Sequence, residues 1–368
     1  MIKLIIIHIF TFTLILLTTI LTGQKRFLYA GSYSDKDSFG IYVFEFDERS
    51  GHLSDVIHMY KILNPSFLTI SHNKNYLFAI SENEEGSASG YKIDHTTGAL
   101  QYINTQQSNG SGPCHVETDL NDKWCIIGHY GSGNISVLPI LADGNLGTSV
   151  QSIQHIQNNS VKSTVPRVHS INIASNNKDI FVPDLGLDKI QHYTLQSKNQ
   201  PLKPAKNPHI SLTKGSGPRH FAFHPDGKFA YCILEYTSKI NVYKVQKTGL
   251  KDISNVSTLP KDFSGKNYCA DIHISPDGRF VYGSNRGHNS IAIFAVNKTN
   301  GDLTLVGHQP TIGDFPRNFA IDPSGNFLLV ANQKSDNIQI FKRDLKTGLL
   351  AHVQEVKNIH KPVCLKFL

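Results

Sequence analysis

The 368-residue chain predicts an all-β fold, a seven-bladed β-propeller of four-stranded blades, on three observations. First, a turn rich in Asn, Asp, Gly and Lys followed by a short apolar strand recurs seven times. The copies are anchored at Phe27, Tyr76, Trp124, Ile180, Phe229, Phe280 and Phe327, at intervals of 47 to 56 residues. Several strands per repeat at a period near 50 make one blade per repeat. Second, anchor strands are followed by a strand of alternating apolar residues and a glycine turn, as in Ser290–Val296 before Gly301. Period-two alternation bounded by turns means strands. Third, the tail His360–Leu368 resembles the segment that precedes each anchor strand. The C-terminus is expected to supply the innermost strand of the blade that continues at Phe27. Pairing of the N- and C-terminal strands then closes the ring without exposed edges and makes residues 24–368 one domain.

Ahead of the first blade, Met1-Ile2-Lys3, an apolar run to Leu21 and the small residues Thr22-Gly23 read as a signal peptide over residues 1–23. An uncleaved N-terminal anchor is the alternative, because the apolar run is long enough to span a bilayer. Either way the domain is expected outside the cytoplasm, periplasmic or secreted, with no membrane contact after cleavage. The net charge of +7 falls to +6 once Lys3 is lost with the leader. No run of five like charges and no basic stripe interleaved with aromatics appears, so nucleic acid is not an expected partner. With 39% hydrophobic and 18% charged residues, disorder is excluded. The five cysteines are odd in number and widely spaced, without C-x-x-C, and read as small buried hydrophobes; no metal site and no cofactor is expected.

In a blade the start of the first strand and the end of the second meet on one face beside the channel. First-strand starts bring Cys114 and His115, Arg167 and His169, Arg219 and His220, Asp271 and His273, and Arg317 and Asn318. Second-strand ends bring Glu82, His129, Tyr130, Asp184, Glu235, Asn285, Arg286, His288, Asn332 and Gln333. Polar residues also occur on any propeller face that meets solvent, and His115, His220 and His273 could bond between blades. Asn121, Asp226 and Asp277 are turn chemistry. The convergence of several arginines with a glutamate nevertheless suits a small anionic ligand, with Arg as clamp and His or Glu for proton transfer.

At these residues the sequence resembles the lactonase family of seven-bladed propellers, which includes propeller-type 6-phosphogluconolactonases and the fungal carboxy-cis,cis-muconate cyclase. The resemblance covers residues 25–368. It is carried by Tyr-Ala-Gly-Ser-Tyr at 29–33, Gly-Pro-Cys-His at 112–115, Pro-Arg-Val-His-Ser at 166–170 and Gly-Pro-Arg-His-Phe-Ala-Phe-His-Pro-Asp-Gly at 217–227. Leu-Glu at 234–235, Ser-Asn-Arg-Gly-His at 284–288 and Phe-Pro-Arg-Asn-Phe at 315–319 complete it. The family pattern implies His169, Arg219, Glu235 and Arg286 as catalytic residues. His115, Arg167, His220, His288 and Arg317 are expected to help bind substrate. The chain departs from the pattern at Arg167, where relatives often carry histidine, and in its leader, since a pentose-phosphate lactonase works in the cytoplasm.

The expected activity is hydrolysis of a sugar-type lactone at the channel mouth by a monomer. Either Glu235 or His169 would activate water, and Arg219 and Arg286 would stabilise the oxyanion. The alternatives are a cyclase or lyase on a dicarboxylate and a non-catalytic propeller that binds exported carbohydrate or protein. A binding module is expected to carry exposed aromatic platforms on loop tips, and the sequence shows no clear set.

Overall fold

The computed structural model describes residues 25–34, 38–156, 165–196 and 200–368; the expected leader lies outside the described residues. The described residues form seven four-stranded antiparallel sheets and no helix. Each anchor lies at or beside the start of the second strand of its blade, as in Tyr76–Ser81, Phe229–Leu234 and Phe327–Asn332. These second strands are almost wholly buried. Neighbouring blades cover both of their faces, which is why they read as near-continuous apolar runs.

Ring closure follows the expectation. Pro362–Phe367 pairs with Lys25–Ser32 in the register Leu28↔Phe367, Ala30↔Leu365, and Lys25–Ser32 pairs onward with Ile41–Asp47. The first blade is thus innermost-to-outermost Pro362–Phe367, Lys25–Ser32, Ile41–Asp47 and His58–Tyr60.

Adjacent blades are latched by the anchors themselves. Gly51 (φ 75°) lies against Phe327 of the last blade, and a Cβ there would sit 2.2 Å from that ring. Gly301 makes the same contact with Phe229, while its carbonyl accepts the hydroxyl of Tyr231 at 3.0 Å. The left-handed turn that only glycine adopts at little cost is therefore also the turn flat enough to receive the next blade's aromatic. All five cysteines are buried and unpaired.

Candidate active site

Innermost strands begin with proline at Pro113, Pro218, Pro316 and Pro362, a position where a missing N–H is tolerated. The ladder then slips by one residue. Pro218 faces Leu234 and His220 faces Ile233, so Arg219 has no partner. Cys114 and Arg317 are bulged in the same way. In the fourth blade Val168 bridges Asp184 and the His169 amide donates to the Pro183 carbonyl, which gives His169 the equivalent place. A bulge re-aims its extra side chain. Here the residues so placed, Cys114, His169, Arg219 and Arg317, meet with Ser66 and Val363 around one cavity on the axis. That cavity measures about 10 Å³, room for roughly one water.

The second-strand ends sort into two kinds by a single residue of register. Asn285, Asn332, His129 and Asp184 are fully buried and bond backbone or side chains of their own blade and of the segment that ends the preceding one. Asn285 Nδ2 donates to the Thr258 carbonyl at 2.9 Å, and Asp184 Oδ1 accepts the amides of Arg167, Gly186 and Leu187. These four were expected to line the ligand site and are instead buried in hydrogen bonds between strand ends and loops. The following position turns toward the axis. Glu235 and Glu82 donate their amides to the carbonyls of Gly217 and Asn64, just ahead of the proline strands, and their side chains join the arginines.

Glu235 Oε2 lies 3.0 Å from Arg219 Nε and 2.8 Å from Arg286 Nη2; among the described residues no hydrogen bond or ion pair reaches Oε1. Carbonyls hold the two guanidiniums from behind. Arg219 Nη1 donates to Ala270 at 2.6 Å, and Arg286 donates to Tyr268 and Cys269. Phe315 lies beneath Arg286, 5.0 Å from the guanidinium carbon to the ring centre. Arg317 donates to the Tyr33 hydroxyl at 3.0 Å, and Tyr33 and Ser66 both donate to Glu82 Oε2. Three largely buried guanidiniums thus share two carboxylates. Burial, and then the charge of Arg317, push the Arg219 pKa down, with Glu235 opposing. The surplus positive charge in this low-dielectric pocket favours an anion.

The histidines are held neutral. Burial, followed by Arg219 and His220, lowers the His169 pKa well below its ordinary value. His220 is pushed down to about 4 by burial and Arg219, against the pull of Asp271. Its Nδ1 lies 2.7 Å from Asp271 Oδ1, which makes Nδ1 the donor and leaves Nε2 an acceptor. Burial raises the Cys114 thiol, which is therefore no ready nucleophile.

The structure brings His169, Arg219, Glu235, Arg286 and Arg317 into one cluster. His220 and His115 form the layer beneath, His115 stacked 4.1 Å from Phe67. Arg167 lies at the rim over Tyr130. His288 stands apart, packed on Phe263 and His308, because the chain turns away at Gly287 (φ 136°). Glu82 and Asp271, which the sequence placed on this face without giving them a role, and Tyr33 of the 29–33 motif are the polar partners of these groups. The signal for Glu82 was its place one residue past the second strand, equivalent to Glu235. A larger hollow of about 370 Å³ lies beyond the layer of Phe67, His115 and His220, but its walls include none of Arg219, Glu235 and Arg286. Among the described residues no group of His, Cys, Asp and Glu is arranged to hold a metal.

A closed seven-bladed ring with an ion-paired carboxylate and a neutral histidine near its axis has the groups that a propeller acting on small anionic molecules needs. Residues 27–367 match the family Lactonase, 7-bladed beta-propeller, and the chain belongs to that family. It is 40% identical over 332 residues to the 6-phosphogluconolactonase of Formosa agariphila, covering 88% of this chain and 94% of that protein. It is 34% identical to the 6-phosphogluconolactonase of Bacillus subtilis, covering 92% and 97%. Among solved structures, the periplasmic gluconolactonase PpgL of Pseudomonas aeruginosa matches with a TM-score of 0.89 at 32% identity, covering 94% of this chain and 99% of that one.

Proposed function

We propose that the chain hydrolyses a sugar-type lactone at this mouth of the channel, with His169, Arg219, Glu235 and Arg286 as the reacting set. The observation that carries the reading is the convergence of two guanidiniums on one oxygen of Glu235 while the other has no hydrogen bond or ion pair among the described residues. Water adds to the lactone carbonyl and gives its proton to Glu235 Oε1. The negative charge passes to the carbonyl oxygen beside the same guanidiniums. The arginines exchange one anion for another, so the site's charge is conserved through the step. The ring C–O bond then breaks and the proton on Glu235 passes to the departing alkoxide. The carboxylic acid formed loses one proton to solvent at neutral pH. His169 acts as a neutral hydrogen-bond partner for the attacking water, since burial and Arg219 disfavour its imidazolium. That environment favours Glu235 over His169 as the base.

The test is proton release from 6-phosphogluconolactone, gluconolactone and other aldonolactones by the purified chain, with Glu235→Gln alongside. Opening above the spontaneous rate, lost in the variant, is expected; no excess opening on any member contradicts the reading.

We also place the chain outside the cytoplasm and acting as a monomer. The leader-like residues 1–23 and the likeness to the periplasmic gluconolactonase of Pseudomonas aeruginosa support the first, and a ring closed within one chain supports the second. Fractionation of cells expressing the full chain, and light scattering on the purified protein, check them. A cytoplasmic protein or a stable dimer would contradict each in turn.

A further inference from the structure

We propose that Arg167, with Tyr130 and Tyr236, forms a subsite for a second negative charge on the substrate, remote from the reacting carbonyl. The chain then selects lactones with a phosphate or carboxylate at the far end over neutral ones. This rests on the lactonase reading above.

The other arginines of the site are engaged by carboxylates or phenols: Arg219 and Arg286 by Glu235, and Arg317 by Tyr33. Arg167 pairs with no carboxylate among the described residues. Its guanidinium carbon lies 4.5 Å from the centre of the Tyr130 ring. A guanidinium laid on an aromatic face keeps its in-plane N–H donors free, the geometry that grips a phosphate or carboxylate edge-on.

The residue is also pre-positioned. Its amide donates to buried Asp184 Oδ1 at 2.8 Å, its carbonyl accepts the Leu185 amide at 2.9 Å, and the next residue bridges Asp184. An exposed surface arginine would have no such footing.

The subsite adjoins the reacting set through one shared ring. The Tyr130 ring that carries Arg167 also meets His169, centroid to centroid 5.6 Å, so Arg167 and His169 are two contacts of one ring. Tyr236 directly follows Glu235, is 45% exposed and lies close enough to Tyr130 for the two phenols to interact, which joins the subsite to the acid. Burial raises the Tyr236 pKa to about 12, so its hydroxyl stays neutral and able to donate to an anion.

Two measurements on the purified chain and Arg167→Gln test the proposal, with melting temperatures as the folding control. The first compares kcat/KM for 6-phosphogluconolactone and glucaro-1,4-lactone against neutral gluconolactone. In the variant the ratio of anionic to neutral kcat/KM is expected to fall by about 10- to 100-fold, mainly through KM. An unchanged ratio overturns the subsite. The second needs no turnover: calorimetric binding of 6-phosphogluconate, glucarate and gluconate, which share one carboxylate and differ at the far end. Tighter binding of either probe with a charged far end, lost in Arg167→Gln, supports the subsite even if no lactone is opened; in that case only the lactonase reading fails. Equal binding of all three by the unmodified chain overturns it. Whichever of 6-phosphogluconate and glucarate binds tighter tells phosphate from carboxylate.

Discussion

Two acids lie within the same channel and have opposite surroundings. Asp271 accepts hydrogen bonds from His220 Nδ1, His273 Nε2, Asn318 Nδ2 and the amides of Ile272 and Phe319. Burial pushes its pKa up, but the neighbouring His273 and His220 more than offset this and hold it well below the usual carboxylate range. Glu235 meets two guanidiniums through a single oxygen, and its other oxygen has no hydrogen bond or ion pair among the described residues. A saturated acid is structural cement that ties three blades together. An acid with an open oxygen beside surplus positive charge is available for proton transfer.

The largest expected effect follows from that difference. Glu235→Gln removes the proton acceptor and is predicted to lower kcat for lactone opening by about 10² to 10⁴, the usual range for a positioned base. KM should change far less, because Arg219 and Arg286 remain to bind the anion; initial rates across substrate concentration read both. Asp271→Asn comes next and acts on the other side of the comparison. An amide cannot accept from all five donors, and a loss of about 3–5 kcal/mol is expected, read as the midpoint of urea unfolding.

Acid should sharpen the contrast as well. His220 and His129 are both pushed down to about 4, chiefly by burial. Each therefore contributes stability that is fully present above about pH 6.5 and is lost as pH falls through 4, on the order of 3 kcal/mol apiece. Unfolding midpoints should drop steadily between pH 6.5 and 4, and a flat profile would contradict neutral burial of these rings. The smallest effect belongs to His288→Ala. Its ring packs on Phe263 and His308 away from Glu235, and kcat/KM is expected to stay within about twofold.

The repeat made the blades and the closing strand legible in the sequence, because turn, anchor and alternation recur with each blade. The site was legible only to within a residue. Leu234–Glu235 and Asn285–Arg286 look alike as strand ends, yet side chains alternate faces, so one step decides between bracing a blade and facing the axis. His129, Asp184 and Asn332 fell on the bracing side for that reason. The bulges at Cys114, Arg219 and Arg317 were invisible, since a slipped ladder leaves no mark in apolar periodicity. Tyr236 and Tyr268, each half-exposed, also escaped notice as aromatic platforms, because nothing local separates them from core tyrosines.

The most direct measurement sets Glu235→Gln and Asp271→Asn side by side, with lactone opening and urea unfolding read on the same preparations. The division of labour predicts that Glu235→Gln loses at least a hundredfold in kcat with the smaller loss of stability, and that Asp271→Asn does the reverse. Full turnover in Glu235→Gln, or a hundredfold loss in Asp271→Asn at unchanged stability, would contradict it.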